Sequence, residues 1–309
     1  MSTLWVYPGQ GVQKPNMLHD LPQNDVTQRY LDRASQALGQ DVLTLDTSAA
    51  LQSTRAVQLC LLIAGVVSSQ QLLQKQFKPD YVAGLSIGAW AAAVVADVLS
   101  FEDAVRLVAL RGELMQTAYP KGYGMTAIIG ASRTQIEHWV NQVQQQSEQV
   151  YVANINAANQ IVISGANAAM QDVVSLAQQQ GVLAKRLQVS VPSHCELLEQ
   201  QAQTLAQAMQ EVEFKTAKIR YLSSSTARLM MSASQIRQDL AGNMACIVEW
   251  ESTVQAAWER GVRLQLELLP GTVLTGLARR IFKEGSVMAF QGTRLDNIMI
   301  AMQQQKESV

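Results

Sequence analysis

Gly84-Leu85-Ser86-Ile87-Gly88 constrains this chain more than any other stretch. It has the Gly-x-Ser-x-Gly form of a nucleophile elbow. Before it, Pro79-Asp80-Tyr81-Val82-Ala83 predicts a short strand. After it, Ala89 to Ala96 is rich in helix formers. Strand, tight turn and helix are the setting in which this pattern holds a reactive serine. The turn leaves no room for flanking side chains, so glycine fits there. The Ser86 hydroxyl is then presented at the top of a sheet, and the helix N-terminus aims backbone N–H groups at any oxyanion formed beside it.

The rest of the chain reads as alternating strands and helices. Thr3 to Tyr7 predicts a strand, broken sharply by Pro8-Gly9-Gln10-Gly11. Thr27 to Leu38 and Ala56 to Phe77 have helical periodicity. Ser100 and Asp103 read as a capping box that opens a helix to about Ala118. The segment from 124 to 190 differs in character. Strands at 125–130, 150–155, 160–164 and 183–189 alternate with helices at 132–146 and 167–180, the β-α-β-β-α-β order of a ferredoxin-like unit. The Gln-rich piece 142–149 reads as a solvated helix end and loop. A long helix at 195–212, a strand at 219–224, helices at 235–244 and 252–260, a strand at 264–268 and a helix at 273–281 complete the order. The expected fold is α/β: a large parallel-sheet domain from residues 1–123 and 191–309, interrupted by a small ferredoxin-like subdomain at 124–190.

Composition excludes several classes. A chain of 309 residues with 48% hydrophobic and 16% charged residues can bury a full core. A net charge of −1 gives no electrostatic footprint for nucleic acid or a membrane surface. The apolar runs 60–67 and 90–96 are shorter than a bilayer requires. Residues 1–7 have no basic region and no cleavage site. Cys60, Cys195 and Cys246 are widely spaced and odd in number, so neither a disulfide framework nor a zinc site is expected. The expected compartment is the cytoplasm, with no metal and no bound cofactor.

A serine hydroxyl needs a base, and the chain offers three histidines. His138 falls within a helix of the small subdomain, and His19 in a loop between Pro15 and Pro22. His194 ends Val191-Pro192-Ser193-His194, a loop just before a helix, where α/β folds keep catalytic groups. The group that orients its ring stays open: Glu196 is adjacent, Asp239 is a second candidate, and a main-chain carbonyl can also serve. Arg111 could pair bidentately with a substrate carboxylate; on residue type alone a surface ion pair is the commoner role. Gln10 lies between two glycines that would let backbone approach a ligand. The same loop has no Walker lysine and no dinucleotide fingerprint.

Taken in order, Pro8-Gly9-Gln10-Gly11, the Gln58 segment, Gly84 to Gly88, Arg111-Gly112-Glu113-Leu114-Met115, Val191 to His194 and Gly271-Thr272-Val273-Leu274-Thr275-Gly276-Leu277 carry a resemblance. The chain resembles the malonyl-CoA:acyl carrier protein transacylases over almost its whole length. The resemblance implies an α/β-hydrolase-like large domain with the ferredoxin-like insert. It implies Ser86 as nucleophile, His194 as base, Gln10 and the Ile87 N–H as oxyanion hole, Arg111 on the malonyl carboxylate and Gln58 lining the pocket. It implies that the Asn243 main-chain carbonyl orients His194; the family usually has glutamine there. Malonyl-CoA is then the substrate, and the phosphopantetheine-type thiol of an acyl carrier protein is the acceptor. One departure stands out. The family elbow reads Gly-His-Ser-x-Gly-Glu, and here Leu85 replaces the histidine while Ala89-Trp90 replaces the glutamate and its neighbour. This form looks like the acyltransferase subunit of malonate decarboxylase, with that complex's other subunits as partners. The alternative is the transacylase of fatty acid synthesis. A serine thioesterase and a non-catalytic carrier-docking subunit are readings from other classes.

Overall fold

The computed structural model describes residues 2–146 and 149–307. The chain opens with strand β1 (Ser2–Tyr7), helix α1 (Asp25–Leu38) and helix α2 (Thr54–Leu73). Strand β2 (Tyr81–Gly84) and helix α3 (Gly88–Val95) flank the elbow, and helix α4 (Phe101–Ala118) follows. Next come β3 (Tyr123–Ile129), α5 (Arg133–Gln144), β4 (Val150–Ala157), β5 (Gln160–Ala166), α6 (Asn167–Gln179) and β6 (Leu183–Arg186). The remainder is α7 (Glu199–Ala208), β7 (Arg220–Leu222), β8 (Leu229–Met230), α8 (Ala233–Gly242), α9 (Trp250–Glu259), β9 (Val262–Glu267), α10 (Val273–Ala278), β10 (Ser286–Ala289) and α11 (Leu295–Glu307).

Two sheets result. The larger has the order β10-β9-β1-β2-β7-β8, parallel throughout except for the short antiparallel β8. Its central strands are buried on both faces, so β1 and β2 read as unbroken apolar runs rather than alternating ones. The smaller sheet, β4-β5-β3-β6, is antiparallel. Here the period-2 alternation is visible. Ile128, Ile161 and Ile163 face α5 and α6, while Met125, Ala127 and Val162 join the main core on the other face. The mixed α/β architecture expected from the sequence is the one observed.

Helix α2 corrects the expectation about apolar length. By length and composition it is long enough to cross a membrane, yet 89% of its most apolar window is buried inside the protein. It is the central core helix, packed between α1, α3 and α4, and burying each of Leu59, Leu62 and Ile63 contributes about 1.5–3 kcal/mol. Close packing explains its glycine: a Cβ at Gly65 would stand 3.1 Å from both Ala91 Cβ and Tyr7 Cδ1.

Other expected bounds also move. The long helix expected at 195–212 is a short 3-10 turn, the ten-residue α7 and a second 3-10 turn. The helix expected at 273–281 ends at Ala278. Strands β8 and β10 and helix α11 were not anticipated. The Gln-rich piece is helical through Gln144, and residues 147 and 148 within it lie outside the described residues. The small sheet is stitched to the other half of the molecule by backbone bonds. Ile155 N donates to Val248 O at 2.8 Å and Val248 N to Ala153 O at 2.9 Å.

Candidate active site

The elbow is fixed by sterics. Ser86 has a φ of 55°, left-handed backbone that costs a non-glycine residue about 1–2 kcal/mol and persists only where its surroundings hold it. A Cβ on Gly84 would overlap the backbone of Gly88 and Ala89, and one on Gly88 would overlap the Tyr7 carbonyl. Leu85 N donates to Tyr7 O at 2.9 Å, tying the turn to the end of β1. The loop after β1 then lies flat on the elbow. A Cβ on Gly9 would sit 2.7 Å from Leu85 Cδ2 and 3.5 Å from Ser86 Cβ.

His194 reaches Ser86 from the other half of the chain, with its Nε2 2.8 Å from the Ser86 Oγ. Its own φ is 65°, and its N–H donates to Met244 O at 2.7 Å. The ring Nδ1 lies 2.9 Å from Asn243 O and 3.2 Å from Cys246 O. Carbonyl oxygens only accept, so Nδ1 carries the hydrogen and Nε2 is left as the acceptor facing serine. Burial and the nearby Arg111 cation push His194 down to about 4, against the two carbonyl bonds. The ring is therefore neutral at pH 7. Of the three orienting groups left open by the sequence, the main-chain carbonyl is the one in contact. Asp239 is instead engaged by Tyr221 Oη at 2.8 Å and Ser223 Oγ at 2.6 Å. Among the described residues no bond joins Glu196 to the ring.

The other two histidines stand apart. His19 pairs with Asp46 at 3.0 Å, and His138 is exposed on α5.

Arg111 is fully buried on α4. Gly112 makes this tight approach feasible, since a Cβ there would meet Arg55 Cα at 2.5 Å. Among the described residues no carboxylate pairs with the guanidinium. Its Nη2 lies 3.4 Å from Ser86 Oγ and 3.4 Å from Asn243 Oδ1, while Nε and Nη1 have no partner among them. Burial pushes its pKa down to about 9. An unpaired buried cation is costly; here it stands beside the serine hydroxyl, where an acyl group carrying a carboxylate would supply the missing anion. Arg106, on the same helix, makes the surface ion pair, with Asp103 at 2.9 Å.

A cavity of about 350 Å³ opens onto Ser86 and His194. The Gln10 loop and Leu85 line one side of it. Ile87 occupies the N-cap position of α3, so its N–H is among the first-turn donors that have no partner within the helix. Gln58 is not on the cavity wall. It is fully buried on α2 behind Gln10, donating from Nε2 to Gln10 Oε1 at 3.2 Å. The small sheet forms the opposite wall with Asn154, Asn156, Gln160 and Lys185. The Oδ1 atoms of both asparagines are buried without partners among the described residues. The sequence reading missed this wall, although two asparagines two apart, one inside the strand expected at 150–155 and one just beyond it, were the available signal. Among the described residues no group of three or more His, Cys, Asp or Glu could hold a metal ion.

The acyl transferase domain family matches residues 4–304. The chain belongs to that acyl transferase family. A malonyl CoA-acyl carrier protein transacylase of Haemophilus influenzae is 38% identical over 286 residues, covering 89% of this chain and 91% of the relative. The solved structure of a malonyl CoA-acyl carrier protein transacylase from Coxiella burnetii has a TM-score of 0.92 at 33% identity, covering 98% of each chain. A malonyl-transacylase solved in complex with its type II PKS acyl-carrier protein gives 0.91 at 34%, covering 98% of this chain and 100% of the other. These relatives fit the transacylase alternative better than the malonate decarboxylase reading drawn from Leu85. In the structure Leu85 packs among the apolar residues around Leu4, Trp250 and Leu274 and borders the cavity. Its side chain shapes one wall of the cavity.

Proposed function

We propose that this acyl transferase moves malonyl from malonyl-CoA to the phosphopantetheine thiol of an acyl carrier protein, as in fatty acid synthesis. The observation that carries the reading is the neutral His194 at 2.8 Å from Ser86 with a carboxylate-free, buried Arg111 beside the same oxygen. The names of the relatives support the donor and acceptor.

In the first half-reaction Ser86 Oγ attacks the thioester carbonyl as His194 Nε2 takes its proton. The Gln10 and Ile87 N–H groups stabilise the oxyanion. The tetrahedral intermediate collapses, the carbon–sulfur bond breaks, and His194 returns the proton to the CoA sulfur. Malonyl-Ser86 remains, its carboxylate on Arg111. In the second half-reaction the carrier thiol gives its proton to His194 and attacks the ester, and Ser86 leaves with that proton.

The test is intact mass after incubation with malonyl-CoA. A malonyl adduct forms on the native protein, disappears on adding a holo carrier protein of fatty acid synthesis, and is absent in Ser86→Ala. An adduct that persists in Ser86→Ala, or one that only water discharges, overturns the reading.

A further inference from the structure

Resting on the malonyl transfer proposed above, we infer that the Asn243 side chain is the positioning group for Arg111, and that selection of a carboxylate-bearing acyl group depends on it. Among the described residues, Arg111 hydrogen-bonds to two protein oxygens, Ser86 Oγ and Asn243 Oδ1, each at 3.4 Å. The first is consumed in the reaction. Once Ser86 is acylated its oxygen becomes an ester oxygen, a poor acceptor. Asn243 Oδ1 is then the protein oxygen left to hold the guanidinium while the substrate carboxylate is bound.

The chemistry of the amide fixes its orientation. A guanidinium only donates, so Asn243 must present its oxygen to Arg111 and its Nδ2 elsewhere. Nδ2 in fact donates to Ser225 Oγ at 3.4 Å. The loop that carries Ser225 is itself held, with Ser225 N donating to Ser223 Oγ at 3.2 Å and Ser223 Oγ to the half-buried Asp239 at 2.6 Å. A neutral oxygen at this place orients the cation without cancelling its charge. A carboxylate would form an internal ion pair and remove the need for a carboxylate on the substrate. Asn243 thus has two separate roles. Its main-chain carbonyl holds the His194 ring, and its side chain holds Arg111.

The experiment compares kcat/KM for malonyl-CoA and acetyl-CoA in native protein, Asn243→Ala, Asn243→Asp and Ser225→Ala. The malonyl-to-acetyl ratio falls about tenfold in Asn243→Ala and about a hundredfold in Asn243→Asp. The loss in Asn243→Asp appears chiefly in the KM for malonyl-CoA, because the internal carboxylate competes for the guanidinium. Ser225→Ala, which keeps the oxygen but loosens its anchor, lowers the ratio severalfold and decides the matter if the Asn243 variants fail to fold. A ratio that stays at the native value in Asn243→Asp or Ser225→Ala, whatever happens to the absolute rates, overturns the inference. Native protein that forms no malonyl-serine overturns the transfer reading instead, so the two failures are told apart.

Discussion

The large sheet positions Ser86 through contacts that only glycine tolerates, whereas the small sheet forms its wall of the cavity through ordinary alternation of side chains. At the elbow, Gly84 and Gly88 are compressed against neighbouring backbone and Ser86 is held at positive φ. In the small sheet, Ile128, Ile161 and Ile163 face α5 and α6 while Met125, Ala127 and Val162 face the cleft. The proposed nucleophile, base and arginine all come from the first region, and the second contributes asparagine, glutamine and lysine side chains. Reaction geometry is thus held by the region with the least steric freedom, and the wall of the cleft by the region that can vary.

The largest expected contrast is between histidines. His194→Ala lowers the rate of acylation by roughly 10²–10⁴-fold, the range of a general base. His138→Ala, on the exposed face of α5, leaves it unchanged. Stopped acylation measured by mass or by CoA release checks both, and a comparable loss in His138→Ala breaks the division.

Glycines sharpen it next. Gly88→Ala drives a methyl into the Tyr7 carbonyl and costs about 3 kcal/mol or more. Gly181→Ala, after α6, meets nothing within 4 Å and costs only its φ of 72°, about 1–2 kcal/mol. Thermal unfolding of the two variants compares them, and equal losses would show that the elbow is no tighter than a surface turn.

Arg111→Ala lowers malonyl transfer about a hundredfold, equivalent to about 2.7 kcal/mol, and acetyl transfer far less. Arg111→Lys recovers little, since a point charge lacks the planar fork. The pH profile moves as well. An imidazole accepts a proton only when neutral, so with His194 as the proposed base acylation in the native protein declines as the pH falls through about 4. Removing the Arg111 cation takes away one of the two causes of that low value, and the limb shifts upward toward the ordinary 6.5. A limb that stays in place shows that burial alone sets it.

The smallest effect belongs to the small sheet's core. Ile161→Val costs about 0.5–1.5 kcal/mol of stability with kcat/KM for malonyl-CoA unchanged. A kinetic defect there would show that the wall's packing reaches the chemistry.

The elbow was legible because its constraint is local: five consecutive residues state their own sterics. His194 was legible because few histidines compete for the role. Arg111 could not be separated from a surface ion pair, since its burial arises from the approach of α4 to Arg55 on α2 at Gly112, a tertiary contact. The orienting carbonyls were illegible in kind, because every residue has one and the choice between Asn243 and Asp239 depends on how the chain returns. The 195–212 segment has helical composition, yet it is divided by 3-10 turns at both ends. The Ser100 cap is present, its hydroxyl accepting from Asp103 N at 3.0 Å. The full capping box of α5, Ser132 with Gln135, had the same sequence signature and was not singled out.

The backbone bridge between Asn154 and Val248 bears on how this protein could be rebuilt. Exchanging the small sheet and its two helices with those of a relative is one route to a new wall of the cavity, with the cuts placed before Tyr123 and after Arg186. Such a graft would sever β4 from a strand partner that lies outside the cut. Val248 is two residues beyond Cys246, whose carbonyl touches the His194 ring. A donor segment therefore has to match the register at Asn154, or bring the 243–248 segment with it. Otherwise the chimera gains a new wall and loses the carbonyls that fix the His194 tautomer.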